Sequence, residues 1–321
     1  MTQEFNLTIQ NQLPGAFTGQ IAYVGARGTH NFISYNDTNM PFPINPASTT
    51  LSINARRPNQ TFLRPVQGDF SRGNSSYNSL QTQLERRIGH GLNTLVAYTW
   101  SKSISGPGDV GGIVGGGNFG ASPLNPYNPS YDRSLSLYDI PNRFSGTVLY
   151  DIPFFQSSSG LKKLLLDGFQ VSTIVTAVSG DASNVSYSGT SNTGTGQTSR
   201  PDLVPGQVAN LPRGSRTAMM QFNTAAFTAP QPGEFGTSPR TGAVRLPGLF
   251  NDDFSATKGF KLGEARNLQF RADFFNAFKH YNPDPSTITT NINSQTYGRI
   301  NNGLSGGYAT RVIQLAGKFY F

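Results

Sequence analysis

Phe5, Leu7 and Ile9 alternate with Asn6, Thr8 and Gln10, and the same two-residue rhythm returns in about nine segments along the chain. Successive side chains of a β-strand point to opposite faces, so each segment has one apolar and one polar side. Each runs to roughly ten residues, the length with which a tilted strand crosses a bilayer. The segments are Phe5–Gln12, Phe17–Arg27, Tyr77–Ile88, Leu92–Ser101, Asn142–Ile152, Phe169–Ser179, Asn251–Leu262, Asn267–Phe278 and Ala309–Phe321. Helical periodicity is nearly absent. The most apolar short piece, Leu161 to Leu166, is interrupted by Lys162 and Lys163. No run approaches the roughly 18 apolar residues of a membrane helix.

The connections obey a second rule. Leu13-Pro14-Gly15-Ala16, Gly89-His90-Gly91 and Gly263-Glu264-Ala265 are tight turns, and a medium link carries Lys162-Lys163. Between them lie long stretches rich in Asn, Gly, Pro and Ser: residues 28–76, 102–140, 180–249 and the segment ending at Tyr308. Short and long connections therefore take turns along the whole chain. Outer-membrane barrels have short periplasmic turns and long extracellular loops, whereas a soluble sandwich has no reason to alternate this way. The expected fold is all-β: a transmembrane, antiparallel, up-and-down β-barrel portion of about nine or ten strands, spanning residues 1–321. Its expected place is the bacterial outer membrane.

Composition agrees. Charged residues make up 13% of the chain, where soluble domains carry about 25%, and yet the mean hydropathy is negative. Asn, Ser, Thr, Gln and Gly supply the polarity, as a surface shared between lipid and water requires. The net charge of +8 is scattered, with pairs at Arg56-Arg57, Arg86-Arg87 and Lys162-Lys163. Nucleic-acid binders concentrate such charge with aromatic platforms, so no nucleic-acid partner is expected. Lipid and lipopolysaccharide phosphates are the expected partners for it. Cysteine is absent, which removes disulfides, thiolate metal sites and cysteine nucleophiles together. Bacterial single-chain barrels have even strand numbers and lipid tolerates no open edge, so nine strands predict further strands upstream or on another chain. Residues 1–25 show no signal peptide.

The motifs, in order, resemble a known family. Phe5-Asn6-Leu7-Thr8-Ile9-Gln10, Ala22-Tyr23-Val24-Gly25-Ala26-Arg27-Gly28-Thr29-His30, Tyr77-Asn78-Ser79-Leu80-Gln81 and Leu84-Glu85-Arg86-Arg87 are similar to segments of Oar-like TonB-dependent receptors common in Acidobacteria. So are Ala97-Tyr98-Thr99-Trp100-Ser101-Lys102-Ser103-Ile104, Pro141-Asn142-Arg143-Phe144, Phe270-Arg271-Ala272-Asp273-Phe274-Phe275-Asn276-Ala277-Phe278 with His280, and the ending Gln314-Leu315-Ala316-Gly317-Lys318-Phe319-Tyr320-Phe321. The resemblance implies a barrel of about 22 strands with a plugged lumen, driven through TonB and taking up a solute. Neither a plug nor a TonB-contact segment is recognisable in these residues. TonB is then a partner only through a plug domain. An adhesive or structural surface protein displaying its loops is the alternative.

Several constellations follow. Gln81, Gln83, Glu85 and Arg87, with Arg271 and Asp273, fall on polar faces and are expected to line the lumen. Tyr98 and Trp100 are expected in the outer aromatic girdle. Gly317, Phe319 and Phe321 are read as the terminal signal by which the barrel-assembly machinery recognises such strands. The loop aromatics Tyr35, Phe42, Tyr127, Tyr131, Tyr187 and Tyr297 are candidates for ligand contact. Gly303-Leu304-Ser305-Gly306-Gly307 fits a hydrolase elbow in letters only, since a membrane strand follows in place of a helix. The glycines of residues 111–117 lack the Lys and Ser/Thr of a phosphate loop. His30, His90 and His280 have no ligand spacing. No catalytic set, metal or cofactor is expected.

Overall fold

A computed structural model describes residues 1–86, 91–107, 123–189, 192–197, 199–263, 266–308 and 310–321. Nine long strands form one sheet: β1 (Thr2–Leu13), β2 (Phe17–Tyr35), β3 (Gly68–Arg86), β4 (Leu92–Ser105), β5 (Asn142–Asp151), β6 (Phe169–Val178), β7 (Leu249–Lys261), β8 (Asn267–Phe275) and β9 (Val312–Tyr320). Each pairs antiparallel with the next, so the sheet is a single meander in sequence order. A two-residue strand, Ser134–Leu135, adds to the end of β4. Among the described residues nothing pairs β9 with β1, and each of these two strands has one neighbour.

The register carries the two-faced pattern from strand to strand. Leu7 lies opposite Tyr23, Tyr23 opposite Leu80, and Leu80 opposite Trp100. Further round, Phe254 faces Phe274, and Phe274 faces Ile313. One face of the sheet is thus apolar over all nine strands. On the other face Gln20 meets Gln83, Ser79 meets Ser101, and Asp273 meets Ser255 and Gln314. A one-residue slip anywhere would bring Gln and Ser onto the apolar side, so the pattern excludes odd shifts of register.

The apolar face is bare. Leu7 is 66% exposed and Leu315 77%. Among the fully buried apolar side chains of the described residues, only Ala22 belongs to the membrane-length part of a strand. In water an uncovered sheet of this size would lose most of its hydrophobic stabilisation; in a bilayer the acyl chains cover it.

The core sits instead in the long connections, here L1 (36–67), L2 (106–141), L3 (179–248) and L4 (276–311). Val185, Phe222, Ala226, Phe227, Ala243 and Val244 of L3 form a buried cluster that Ile288, Ile292 and Tyr297 of L4 pack against. Two short ribbons, Ala182–Ser183 with Val244–Arg245 and Asp202–Leu203 with Phe227–Thr228, brace L3. The described parts of these loops are folded and packed on one another.

Several boundaries also differ from the alternation pattern. β2 and β3 continue past Arg27 and begin before Tyr77, rising as a two-stranded ribbon to Tyr35 and Gly68. That ribbon lies beyond the membrane length, where its polar residues need no apolar partner face. A bulge around Gly28–Phe32, with His30 at φ +57°, shifts its register. The segment 160–166, a medium link in sequence, contains a one-turn-plus helix, α1 (Gly160–Leu166). Finally, β8 stops at Phe275, and the last strand is ordered as a strand from Val312.

The end of β8 has a local cause. Asn276 adopts φ +48°, a left-handed conformation Asn tolerates better than branched residues. Its side chain closes a turn on His280, donating to the His280 carbonyl (2.9 Å) and accepting from the His280 N–H (2.8 Å). Its own N–H donates to Asp253 of β7 at 3.0 Å. Asn276 is fully buried. Asn276→Ala is expected to cost about 1–3 kcal/mol by stranding these partners. Thermal unfolding in detergent micelles would measure it, and an unchanged midpoint would refute the lock.

Candidate functional site

The polar face of the sheet is the first part of the site. Gln81, Gln83 and Glu85 alternate on β3, half-buried, opposite Thr99, Ala97 and Leu95 of β4 and Ala22, Gln20 and Thr18 of β2. Arg271 and Asp273 lie on the same side of β8, and the Arg271 Nε donates to the Asp273 Oδ1 at 2.7 Å. Both sets face as the alternation predicts. They are not brought together: four strands separate β3 from β8, a distance of about 24 Å at ordinary strand spacing. Arg87 and His90, together with the glycines at 111–117, fall outside the described residues.

Tyr98 and Trp100 lie on the apolar face, with the Tyr98 hydroxyl donating to Asn142 Oδ1 at 2.6 Å. Gly317 sits opposite Phe270 and Phe319 opposite Leu268, on that same face. Phe321, beyond the strand, packs its ring near that of Phe319 at 6.2 Å. At the opposite rim from Trp100, basic groups rest on aromatic rings: Arg86 over Phe17 at 5.3 Å and Lys258 over Phe169 at 4.8 Å. Of the histidines, His280 lies 3.8 Å from Asp252 and stacks edge-on against Phe250. Among the described residues no metal-ligand group forms.

The second part is the folded cap of loops, which the alternation could not show. L2 and L3 are tied by buried charge. Asp132, 2% exposed, accepts from Arg200 at 2.7 Å and from the Leu124 N–H at 2.9 Å. Arg240 donates to the Asp132 carbonyl at 3.0 Å and to Ser105 of β4 at 2.9 Å. Arg245 pairs with Asp139 and also donates to the Gly180 carbonyl at 3.1 Å. Burial pushes the Asp132 carboxyl up, while Arg200 pulls the other way.

L1 joins the same assembly. Asp37 and Arg57 form a buried pair at 2.5 Å. Arg56 donates to the Gly194 carbonyl of L3, the Ile44 N–H to the Thr193 carbonyl at 2.9 Å, and the Tyr127 hydroxyl of L2 to the Met40 carbonyl. L3 and L4 exchange backbone bonds as well, from Gln221 to Gly298 and from Ile300 to Ala218. Four long loops thus make one body over the end of the sheet.

This settles most of the aromatic candidates. Tyr35 is not in a loop; it ends β2, buried, edge-on to Phe70. Tyr297 is packed in the L3–L4 core and Tyr187 is half-buried. Tyr131 lies under the Arg200 guanidinium at 4.0 Å, its hydroxyl sharing its proton between the carbonyls of Phe235 and Gly236 at 2.8 and 2.7 Å. Only Phe42 and Tyr127, stacked at 4.1 Å, offer rings to solvent, Phe42 at 63% exposure.

Tyr131 gives a pH prediction. Burial pushes its hydroxyl up to about 12, with Arg200 opposing. A folded value above the ordinary value of about 10 means the neutral phenol's contribution is complete below pH about 10 and lost as the pH climbs towards 12. Proteolysis of the cap is expected to accelerate across that interval. If Tyr131→Phe keeps the same acceleration, the phenol is not its source.

The sequence of residues 1–314 matches the family model described as outer membrane beta barrel domain. The chain belongs to the outer membrane beta-barrel family. As a member of that family it resides in the bacterial outer membrane, the apolar face of β1–β9 against lipid. The short connections from β1 to β2, β3 to β4, β5 to β6 and β7 to β8 are then on the periplasmic side, and the described parts of L1–L4 on the extracellular side. Among solved structures, the barrel resembles the outer membrane transporter YddB from Escherichia coli at 9% identity and a TM-score of 0.46. The likeness covers 100% of this chain and 32% of that one, so the chain spans about a third of that structure's length. No curated protein matches the sequence.

Proposed function

We propose that this barrel is part of a transporter of the Oar-like, TonB-dependent type, carrying a bulky solute across the outer membrane. The observation that carries the reading is the pairing of a polar inner face with a packed extracellular cap. The wall offers Gln, Ser, Thr and the Arg271–Asp273 pair to whatever occupies the lumen. Such a wall suits a hydrated path or a polar plug, and charge-assisted hydrogen bonds would hold the plug in register. TonB would act through that plug. Further strands pairing with β1 and β9 would close the sheet, because unpaired N–H and C=O groups in lipid cost several kcal/mol each. Gly317, Phe319 and Phe321 would present the last strand to the barrel-assembly machinery, and scattered basic groups would meet lipopolysaccharide. No catalytic role and no nucleic-acid partner belong to this reading.

The folded cap also favours a second reading, a surface protein whose rigid loops make contacts outside the cell. Uptake by cells carrying the protein separates the two. Across a panel of labelled bulky solutes, any that enters is expected to enter only when TonB is present. Uptake indifferent to TonB removes the energised mechanism. Absence of uptake, with binding to other surfaces that is lost on trimming L1–L4, selects the second reading.

A further inference from the structure

The periplasmic link 152–168 holds the one α-helix of the described residues. In α1 the side chains of Leu161, Leu164 and Leu165 share a stripe, at spacings of three and four, and all are exposed, Leu161 at 75%. Phe154 beside it is exposed too. An apolar stripe next to lysines, at the level where strands leave the membrane, lies in the interface and not in water.

Beneath α1 is a cavity of about 310 Å³, between the helix with Asp167 and Gly168 after it, the end of β7 and the start of β8. Lys163, Lys258 and Lys261 line it, against a single carboxylate, Asp167. The Asp167 Oδ1 is engaged by the Gly168 N–H at 2.8 Å. Lys258 is held at the mouth: its Nζ donates to the Asp167 carbonyl and lies 4.8 and 4.7 Å from the rings of Phe169 and Phe260. An ammonium has three N–H donors, so two remain for an acceptor.

Lys258 also ends a second hollow, of about 520 Å³, which runs along the lipid-facing side of β7, β8 and β9. Its lining is mostly apolar, with the small residues Ala256, Ala272 and Gly317 beside Phe270 and Leu315, and Thr257 and Arg271 also reaching it. A cationic cavity thus opens, at one residue, into an apolar trough facing the bilayer. This is the outline of an amphiphile with an anionic head.

We propose that the cavity binds the phosphate of a phospholipid from the periplasmic leaflet, with one acyl chain lying in the trough. The lysines supply charge-assisted donors to the phosphate oxygens. The small residues let the chain approach the backbone of three strands at once. A free phosphate would satisfy the lysines but leave the trough unused, and the site is therefore a lipid site. It is independent of the solute transported.

The test uses the full chain in mild detergent, with native mass spectrometry and added dioleoyl phosphatidylglycerol. One lipid is expected to remain bound. Combining Lys163→Gln, Lys258→Gln and Lys261→Gln is expected to weaken binding about tenfold or more. Ala272→Leu fills the trough, leaves every lysine in place and is expected to weaken binding comparably; it carries the test alone if the triple variant does not fold. Millimolar inorganic phosphate is expected to leave the lipid bound. Retention of lipid by both variants overturns the proposal. Displacement by inorganic phosphate, with Ala272→Leu unaffected, overturns it in favour of a free-anion site.

Discussion

Asp132→Ala is expected to loosen the extracellular cap by about 3–5 kcal/mol, the range for removing one partner of a buried ion pair. Asp132 and Arg200 are both buried, and Arg200 has no other carboxylate at ion-pair distance among the described residues. Without Asp132 the guanidinium would keep the Tyr131 ring but lose its counter-charge. The Leu124 N–H would lose its acceptor as well. The effect should be confined to L2 and L3, because the strands below are held by their own ladders. Hydrogen exchange in detergent would show faster exchange in 123–141 and 199–245 with β1–β9 unchanged. Replacing both partners, Asp132→Leu with Arg200→Met, is expected to recover most of the loss, since a matched apolar pair carries no desolvation penalty. If Asp132→Ala exchanges like the parent, the pair does not hold the cap.

Ile21→Arg is expected to cost about 2–4 kcal/mol, the range for a cation facing the middle of the bilayer on a barrel strand. Ile21 is exposed on the apolar face, between Ile9 and Thr82 in register. Its neighbour Gln20 points to the other face, opposite Gln83. Gln20→Arg is expected to change stability by no more than about 0.5 kcal/mol, as an accessible polar position should. The two substitutions differ by one residue and by one face. Urea unfolding in lipid vesicles would compare them, with Trp100, the single tryptophan, as reporter. Brominated acyl chains should quench that tryptophan. Equal costs at positions 20 and 21 would mean that the sheet does not present the faces assigned to it.

How much was legible in the sequence depends on which forces acted locally. Tyr98 and Trp100 share one face of β4, while Gln81, Gln83 and Glu85, like Arg271 and Asp273, take the opposite face of the sheet, because strand geometry turns parity into direction. The turn at Asn276 was missed because Phe278 returns to the parity of Phe270 and Phe274, which extended the strand past a polar Asn276 on the apolar side and an apolar Phe275 and Ala277 on the polar side; the Asn side chain bonding to His280 closes the turn there. A left-handed Asn at the end of a strand was the available signal. The helix α1 escaped because seven residues are too few for periodicity to register. Tyr35 and Tyr131 looked like free loop aromatics because packing partners distant in sequence, Phe70 and Arg200, decide their exposure.

The alternation that opens at Phe5, Leu7 and Ile9, with its short and long connections, by itself determined the fold class, the up-and-down strand order and the membrane-facing side. Each of these depends on neighbours two residues apart or one turn away. The tertiary structure alone decided that the long loops fold together, and that Asp132 meets Arg200 across 68 positions and Asp139 meets Arg245 across 106. It also brought Lys163 of the link together with Lys258 and Lys261 of β7 around one cavity. Contacts of that separation follow from where the meander returns the chain, and no periodicity records them.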